Sequence, residues 1–373
     1  MKVAVVGGSI AGLSTGIALS CIGCEVDVYE ASPAFLRGKG GGLVVQHEML
    51  EWMMTHGIAT LAALTLPGVE RQVLDRDGRV LQRFPDATPF TSWEAVYHQL
   101  RVAFPAERYH LGAHCVHIQE SPETVTLAFA HGTSVTTDLV IGADGVGSMV
   151  RGQVAPAARP TYAGYVAWRG VIPEAAVPAP VVDTLASRFT LFQGRDFHIL
   201  AYMIPGEDGA LAPGTRRLNW VWYWNTGEDT ELADLLVDAD GHPHRSSVPA
   251  GKMQARHVAA VRDRADAVLP GVLAALVRVT PHPFVQVIFD LLCEQMFKGR
   301  IVLVGDSASL VRPHTASGTS KASGDAVALA QHLEAEAFVL SRALPRWENE
   351  RRALAMRLVA HGLRLARGSG LGQ

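Results

Sequence analysis

A turn near the start of the chain has the residue types and spacing of a phosphate-binding site. The stretch VVGGSIAGLSTG follows a short apolar run, and its Gly7, Ser9 and Gly12 have the spacing of a G-x-G-x-x-G fingerprint with serine in the middle. A phosphate bound there needs backbone amides at a helix N-terminus and no side chain in the way. Serine is small and can donate its hydroxyl to a phosphate. We therefore predict that a nucleotide pyrophosphate is held by Gly7, Ser9, Ile10, Ala11 and Gly12.

An acidic residue stands where such a turn places the ribose. Glu30 ends a second predicted strand, EVDVYE, 18 residues after Gly12. A carboxylate at that position can accept hydrogen bonds from a ribose diol. A tight turn followed by an unrelated surface acid would show the same spacing. Because strand, helix, strand and acid occur in the expected order, the sequence favours a dinucleotide.

Two further segments end a predicted strand with an aspartate in a loop of small residues. They are IGADGVGSMVR, Ile141 to Arg151, and VLVGDSASLVRPHTASGTSKASGDA, Val302 to Ala326. Each alone could be an ordinary turn with an aspartate cap. Three separated strand ends that converge on one ligand suit an extended dinucleotide such as FAD. No second glycine fingerprint marks a separate nicotinamide-binding domain.

With these motifs the chain resembles, over nearly its whole length, the single-component FAD-dependent aromatic hydroxylases of the p-hydroxybenzoate hydroxylase type. Within that family the segments GGSIAGL, GGGLVVQ, YVAWRG, VRPHTASG and RRLNWVWYWN are most similar to hydroxylases of dihydroxypyridines. The resemblance implies that FAD is the cofactor. A DG pair then lies near the pyrophosphate, a GD pair binds the ribityl chain, and two loops flank and cover the isoalloxazine ring. By position the DG pair is Asp144 and Gly145, and the GD pair is Gly305 and Asp306. Pro313 and Gly318 would then lie in the loop that flanks the ring, and the loop that covers it would contain Arg37, Gly40, Gly42 and Leu43.

The sequence departs from the family pattern at several positions. Ser309 stands where many relatives have histidine, and Ala316 and Ser317 replace a Gly-Gln pair. Trp93 stands where an arginine often reaches the flavin phosphates. The identity of the aromatic substrate stays open between a hydroxypyridine, a phenol, an indole and a polycyclic compound.

The resemblance implies a monooxygenase that uses NAD(P)H and O2. NAD(P)H, bound transiently, reduces FAD, O2 adds at C4a, and an electron-rich hydroxylated aromatic or N-heteroaromatic ring attacks the resulting C4a-hydroperoxyflavin. The alternatives are an FAD-dependent oxidase or another redox enzyme on the same scaffold, and a flavin-binding subunit without turnover. Hydride uptake from NAD(P)H that responds to an aromatic ring would separate these readings.

Five side chains are candidates for the substrate-facing, catalytic part of the site. His314 adjoins Pro313 in the flavin-side loop, and Gln46 follows the ring-covering loop. His198 and Tyr202 are four apart in a predicted strand and so face one side. Trp222 belongs to an aromatic stripe in NWVWYWN. The structural alternatives are a histidine that caps a turn, ordinary strand polarity and, for Trp222, the core of a sheet.

The elements that must position these residues predict an α/β fold. A βαβ unit opens the chain, and MLEWMMTHG and SWEAVYHQLRVAF have helical spacing. The middle third is β-rich and aromatic, and the residues after RIVLVGD are helical. We predict a Rossmann-like FAD-binding domain of residues 1–70, 92–165 and 280–373. Residues 71–91 and 166–279 form an inserted β-rich substrate-binding domain, and a C-terminal helix ends the chain.

The composition is that of an ordinary globular protein, with 48% hydrophobic and 18% charged residues among 373. A net charge of −3 argues against a nucleic-acid partner. No run reaches the roughly 20 apolar residues of a membrane span. Four cysteines do not make a disulfide framework, so we expect a cytoplasmic protein. A homodimer follows only from the resemblance.

Overall fold

The computed structural model describes residues 1–36 and 40–372. Its strands in this part of the chain are β1 (Lys2–Val6), β2 (Glu25–Tyr29), β3 (Gly42–Val44), β4 (Glu70–Leu74), β5 (Val80–Pro85), β6 (Phe90–Ser92), β7 (Tyr109–His110), β8 (Cys115–Glu120), β9 (Val125–Phe129), β10 (Ser134–Thr137), β11 (Leu139–Gly142), β12 (Thr161–Pro173), β13 (Arg188–Gly194), β14 (Phe197–Ile204), β15 (Arg217–Asn225), β16 (Ser247–Val248), β17 (Phe284–Leu292), β18 (Phe297–Lys298), β19 (Ile301–Leu303) and β20 (Ser309–Leu310).

The α-helices of the same residues include the two predicted from MLEWMMTHG and SWEAVYHQLRVAF and a long C-terminal one. They are α1 (Ile10–Cys21), α2 (His47–Thr55), α3 (Leu61–Leu64), α4 (Trp93–Ala103), α5 (Arg151–Val154), α6 (Ala179–Leu185), α7 (Thr230–Leu235), α8 (Ala255–Val268), α9 (Gly271–Val279), α10 (Gly318–Ala335) and α11 (Leu340–Gly368). None of these helices is both long and apolar enough to cross a membrane.

The Rossmann-like part is a six-stranded sheet in the order β18-β19-β11-β1-β2-β7. Its neighbours run parallel except for the β18/β19 pair. The central strands β11 and β19 are buried along their whole length, as is typical of a parallel sheet covered by helices on both faces. The carboxyl ends of β1, β11 and β19 therefore meet at one edge, where the three sequence motifs follow them.

Two helices with many small residues pack closely against each other beside this edge. In α1 and α10 the hydroxyl oxygens of Ser14 and Ser323 lie 3.1 Å apart. Helix α11 packs against α10, and the buried indole of Trp347 donates to the carbonyl of Asp325 over 3.0 Å. The amino-terminal ends of α1 and α10 are thereby held beside the strand ends.

The β-rich part is a nine-stranded sheet, in which β16-β17-β12-β15-β14-β13-β4-β5 form one path and β20 pairs with β17. One face packs on helices α8 and α9, where Trp220 and Trp222 join Val261 and Leu273 in a core cluster. Because successive side chains of a strand point to opposite faces, the intervening residues point to the other face. That face is turned toward the Rossmann-like sheet.

The large sheet extends beyond the predicted limits of the substrate domain. Strand β12 pairs with β17 from Thr161 opposite Asp290 to Arg169 opposite Phe284. Residues 161–165 and 284–292 therefore belong to the β-rich sheet, whereas the predicted division assigned both to the FAD-binding part. The fold class is confirmed, and the exact division into two domains stays a prediction.

Candidate active site

A cavity of about 530 Å³ lies between the Rossmann-like sheet and the large sheet. On one side it is lined by the turns that follow β1, β11 and β19, and on the other by side chains of β12, β14, β15 and β17. The loop that contains β3 and the start of α4 close a third side. The cavity therefore brings together chain segments from residue 9 to residue 322.

The first turn has the geometry that its glycines predict. Gly7 has a φ of +104°, and a Cβ there would lie 2.4 Å from the carbonyl oxygen of Ala143. A Cβ on Gly12 would lie 1.9 Å from the carbonyl oxygen of Gly7. Ser9 precedes α1 and makes no capping hydrogen bond with its side chain. Ser9, Ile10 and Ala11 line the cavity, so the amino terminus of α1 opens onto it.

Glu30 lies at the end of β2, beside the first turn. Its two carboxylate oxygens accept the backbone N–H groups of Gly8 and Ser32, each over 2.8 Å. The residue is buried and is not among those that line the cavity. Each oxygen keeps a free lone pair, so the carboxylate can still accept a hydrogen bond from a ligand.

In the DG pair, the carboxylate of Asp144 has a structural role, whereas Gly145 lines the cavity. Asp144 accepts hydrogen bonds from the hydroxyl of Ser148 at 2.5 Å and from the N–H of Met149 at 2.8 Å. Its side chain thereby holds the turn that follows β11. Gly145 has a φ of +74° and lines the cavity. The neighbouring Arg151, which sequence reasoning did not single out, donates to the carbonyl of Ser307 over 3.3 Å and so joins this turn to the GD turn.

The GD pair lies in a turn held by buried charges. Gly305 has a φ of +61°, and the exposed side chain of Asp306 lines the cavity. The N–H of Gly305 donates to Asp325, and its carbonyl accepts from Lys321, each over 3.0 Å. Sequence reasoning missed Lys321 and Asp325, although their spacing of four residues on a predicted helix was a signal for an ion pair.

The loop before α10 forms the floor of the cavity. Pro313, His314 and Gly318 all line it. Ala316 has a φ of +53°, which glycine adopts more readily, at a position where the family often has glycine. The side-chain amide of Gln46 donates to the carbonyl of Ala316 over 3.5 Å. Gln46 does not line the cavity, so its position favours a role in holding this loop over direct contact with a ligand.

The predicted ring-covering loop lies over the large sheet. Gly40, Gly42 and Leu43 line the cavity, whereas Arg37 lies outside the described residues. The N–H of Gly42 donates to Oδ1 of Asn219 over 2.8 Å. A Cβ on Gly40 would lie 2.4 Å from the Cβ of Trp93, so glycine is required for this close approach.

The substrate side of the cavity is aromatic, and of the two candidate histidines His314 lines it, whereas His198 is buried behind His314. The ring of His314 lies 5.0 Å from His198 and 4.6 Å from Tyr223, measured between centroids. Burial lowers the pKa of His198 to about 4. Burial, with His198 and Arg312 nearby, lowers the pKa of His314 to about 3. Both rings are therefore neutral near pH 7.

Tyr202 lies on the same face as His198, as the spacing of four residues predicts. It lines the cavity, and burial raises its pKa. Arg169 also lines the cavity, and no carboxylate partner is found for it among residues 1–36 and 40–372. Sequence reasoning missed Arg169, Tyr165 and Tyr223, because the polar residues of a strand do not reveal which sheet face meets a ligand.

The structure corrects the prediction for Trp222. Its side chain is fully buried on the opposite face of β15, where it packs against Phe197 and Trp224. The neighbours Val221 and Tyr223 line the cavity instead. The alternation that makes Trp222 part of a stripe also turns it away from the site, and its structural alternative, the core of the sheet, is correct.

The residues of the cavity fit a long dinucleotide at the end formed by the three turns. The amino terminus of α1 offers unpaired backbone N–H groups to phosphates. The glycines at 7 and 12 leave a cradle that a Cβ would fill. The remaining end of the cavity is lined by aromatic and polar side chains, among them Tyr202, Tyr223 and His314.

Comparison with known proteins agrees with this geometry. Residues 162–290 match a family model described as FAD binding domain-like, and residues 287–361 match one described as FAD binding domain. The chain is 37% identical to the 2,6-dihydroxypyridine 3-monooxygenase of Paenarthrobacter nicotinovorans, over 88% of this chain and 82% of that protein. It is 27% identical to the 6-hydroxynicotinate 3-monooxygenase of Bordetella bronchiseptica, over 89% and 82%.

A solved structure shows the same arrangement of both sheets. The structure of 2,6-dihydroxypyridine-3-hydroxylase from Arthrobacter nicotinovorans superposes with a TM-score of 0.93 and 34% identity, over 99% of this chain and 92% of that one. The predicted FAD cofactor, the predicted enzyme class and the resemblance are all confirmed. The chain therefore belongs to the FAD-dependent aromatic monooxygenases.

Proposed function

We propose that this monooxygenase hydroxylates a hydroxylated N-heteroaromatic ring of the hydroxypyridine class. One observation carries the proposal: a single cavity joins a nucleotide-binding end to a small aromatic end that contains His314, Arg169 and Tyr202. Such a set can hold the ring oxygens of a small planar substrate. The substrate of the 37% identical relative supports the same class.

The three turns would hold the cofactor. The backbone of Ser9, Ile10 and Ala11 would bind the pyrophosphate, with Gly7 and Gly12 allowing its approach. Glu30 would accept the ribose hydroxyls, Gly145 would lie near the pyrophosphate, and Asp306 would bind the ribityl chain. Bound FAD supplies hydride uptake from NAD(P)H and activation of O2.

Other residues would flank the ring system of the cofactor. The backbone of Pro313 and Gly318 would lie beside it, and Gly40, Gly42 and Leu43 would cover it. Asn219 would support the covering loop by accepting the N–H of Gly42. Trp93, which stands where relatives often have arginine, would close the same side by packing against Gly40.

The substrate would be oriented by the polar groups at the aromatic end. Neutral His314 would hydrogen-bond a ring oxygen and so orient the carbon to be hydroxylated. Arg169 would stabilise negative charge on the same ring, because no carboxylate neutralises it within the described chain. The buried tyrosines and the covering loop would exclude water from the reacting atoms.

The test is a panel of rings offered to the FAD-loaded protein with NADH or NADPH. We expect 2,6-dihydroxypyridine or 6-hydroxynicotinate to accelerate NAD(P)H oxidation and to gain one oxygen atom by mass. Simple phenols should give slower oxidation and mainly H2O2. Efficient hydroxylation of phenols with no response to any hydroxypyridine would overturn the proposed class and leave the monooxygenase assignment intact.

We also propose that the protein is a cytoplasmic homodimer. The dimer rests on the resemblance alone, and the location is supported by four free cysteines, three of them buried. Light scattering of the FAD-loaded protein would report the dimer mass of about twice 40.0 kDa. Fractionation of cells would show whether the protein follows cytoplasmic markers.

A further inference from the structure

A hydrogen bond lies directly behind the wall of the cavity. The hydroxyl of Tyr165, on β12, lies 2.8 Å from Nε2 of His314, and the two rings stack with their centroids 5.5 Å apart. Tyr165 is fully buried and does not line the cavity, whereas His314 does. The tyrosine can therefore act on a ligand only through the histidine.

The direction of this hydrogen bond is set by an arginine. The guanidinium of Arg312 is held by both carboxylate oxygens of Asp290, at 2.9 and 2.6 Å. It lies over the ring of Tyr165, with its central carbon 5.4 Å from the centroid. A guanidinium offers no acceptor, so the phenol proton of Tyr165 cannot be donated to Arg312. The phenol proton then points to Nε2 of His314, the neighbouring acceptor among the described residues.

His314 is neutral and therefore carries a single ring proton. The groups that face it are Tyr165 on β12, His198 on β14, Tyr223 on β15 and Arg312 in its own loop. None of these bears a negative charge near neutral pH, and burial with His198 and Arg312 lowers the pKa of His314 to about 3. With Nε2 accepting from Tyr165, the proton must reside on Nδ1.

The Nδ1 atom has no hydrogen-bond partner within residues 1–36 and 40–372, and it is buried. A buried N–H without an acceptor is unfavourable, because it has lost its water partner. Since His314 lines the cavity, a bound ring can supply the missing acceptor after a small movement of the imidazole. A hydroxyl that keeps its proton turned toward Nδ1–H would not satisfy it.

We infer that Tyr165 and Arg312 are positioning residues that fix His314 as an Nδ1–H donor. The site thereby selects a ring whose oxygen is an acceptor, either the carbonyl of a lactam or an oxyanion. This inference rests on the proposed function for the class of ring. It adds two residues outside the cavity that determine in which form the substrate binds.

The tautomer is tested directly on the FAD-loaded protein without substrate. Protein labelled with 15N-histidine gives proton–nitrogen correlations that distinguish Nδ1–H from Nε2–H, and the signals of His314 are assigned by their absence in His314→Gln. We expect the Nδ1–H form in the unmodified protein and a mixture of both forms in Tyr165→Phe. Tyr162→Phe is the matched control, because its hydroxyl lies on the same strand but donates to the carbonyl of Thr226. An Nε2–H form in the unmodified protein overturns the inference, whether or not any variant folds.

The selection of an acceptor oxygen is tested by calorimetry on the oxidised protein in the absence of NAD(P)H. The probes are 2,6-dihydroxypyridine and 2,6-dimethylpyridine, which differ in the ring oxygens. Tyr165→Phe should weaken binding of the first about ten-fold and of the second less than two-fold, since one hydrogen bond is lost. Equal weakening of both probes would overturn the selection. If the unmodified protein binds neither probe, the proposed substrate class fails, while the histidine spectrum still decides the tautomer.

Discussion

The ammonium group of Lys321 lies 3.0 Å from the carbonyl oxygen of Gly305, inside the protein, and 2.9 Å from the carboxylate of Asp325. The same carboxylate accepts the N–H of Gly305 and is paired with Arg351 of α11 at 2.9 Å. The side chains of Lys321 and Asp325 are 1% and 0% exposed. One buried ion cluster thus ties helices α10 and α11 to the turn that presents Asp306.

Replacement of Lys321 by Met should loosen this turn and weaken FAD binding. The buried carboxylate of Asp325 keeps one cationic partner, so we expect a loss of about 2–3 kcal/mol in the free energy of unfolding. The loss is measured by urea denaturation, and FAD affinity by quenching of flavin fluorescence. Lys252→Met is the control, because Lys252 pairs with Asp240 on the surface. An unchanged FAD affinity would contradict a role of the ion cluster in cofactor binding.

Gly12→Ala should abolish FAD retention. The added Cβ would lie 1.9 Å from the carbonyl oxygen of Gly7, so α1 would have to move away from β1. The ratio of flavin to protein absorbance after gel filtration measures the effect. In Gly152→Ala, a Cβ meets nothing within 4 Å, and this variant should retain FAD fully. Normal retention by Gly12→Ala would show that the pyrophosphate does not bind at this turn.

His198 should make the fold less stable as the pH falls. Burial lowers its pKa in the folded protein to about 4, below the ordinary value of 6.5. Between these values the unfolded chain binds one proton more, so the free energy of unfolding falls by about 1.4 kcal/mol per pH unit as the pH decreases. Above 6.5 this contribution is fully present.

The pH dependence is measured by urea denaturation from pH 7 to pH 4.5. His198→Gln should reduce the slope of the free energy of unfolding against pH by most of the contribution of one proton. The contribution of His314, which is also neutral when folded, should remain. His98→Gln, at an exposed position of α4, should leave the slope unchanged. If His198→Gln shows the same slope as the unmodified protein, the imidazole is not desolvated in the folded state.

Arg169→Gln should weaken substrate binding more than FAD binding. The guanidinium lines the cavity without a carboxylate partner in the described chain, so a substrate oxygen would be its counter-charge. Loss of one charge-assisted hydrogen bond should raise KM about 10- to 100-fold. Arg195→Gln, at a side chain that is 97% exposed, should leave KM unchanged. Steady-state oxidation of NAD(P)H with product analysis measures both, and an unaltered KM in Arg169→Gln would place the substrate elsewhere.

The local features of the cofactor end could be predicted from the sequence. These features are the spacing of Gly7 and Gly12, the acid at Glu30 and the two aspartate turns. They depend on contacts between neighbours in the chain or on strand order, which short motifs encode. Backbone sterics explain this: the positive φ of Gly7 and the close approach at Gly12 tolerate no side chain. The parallel order of β1, β11 and β19 then brings the motifs to one edge.

The tertiary structure decided the substrate end, because its contacts join distant residues. Alternation grouped the tryptophans of β15 correctly, but only the packing of α8 and α9 showed that Trp222 faces away from the cavity. The hydrogen bond between Tyr165 and His314 spans 149 positions. No spacing predicts such a pair, since it depends on how a loop after β19 meets a strand of the second sheet. The sequence by itself therefore determined the dinucleotide-binding motifs, and its resemblance to a family indicated the class of reaction, whereas side-chain direction across two packed sheets decided which residues line the cavity.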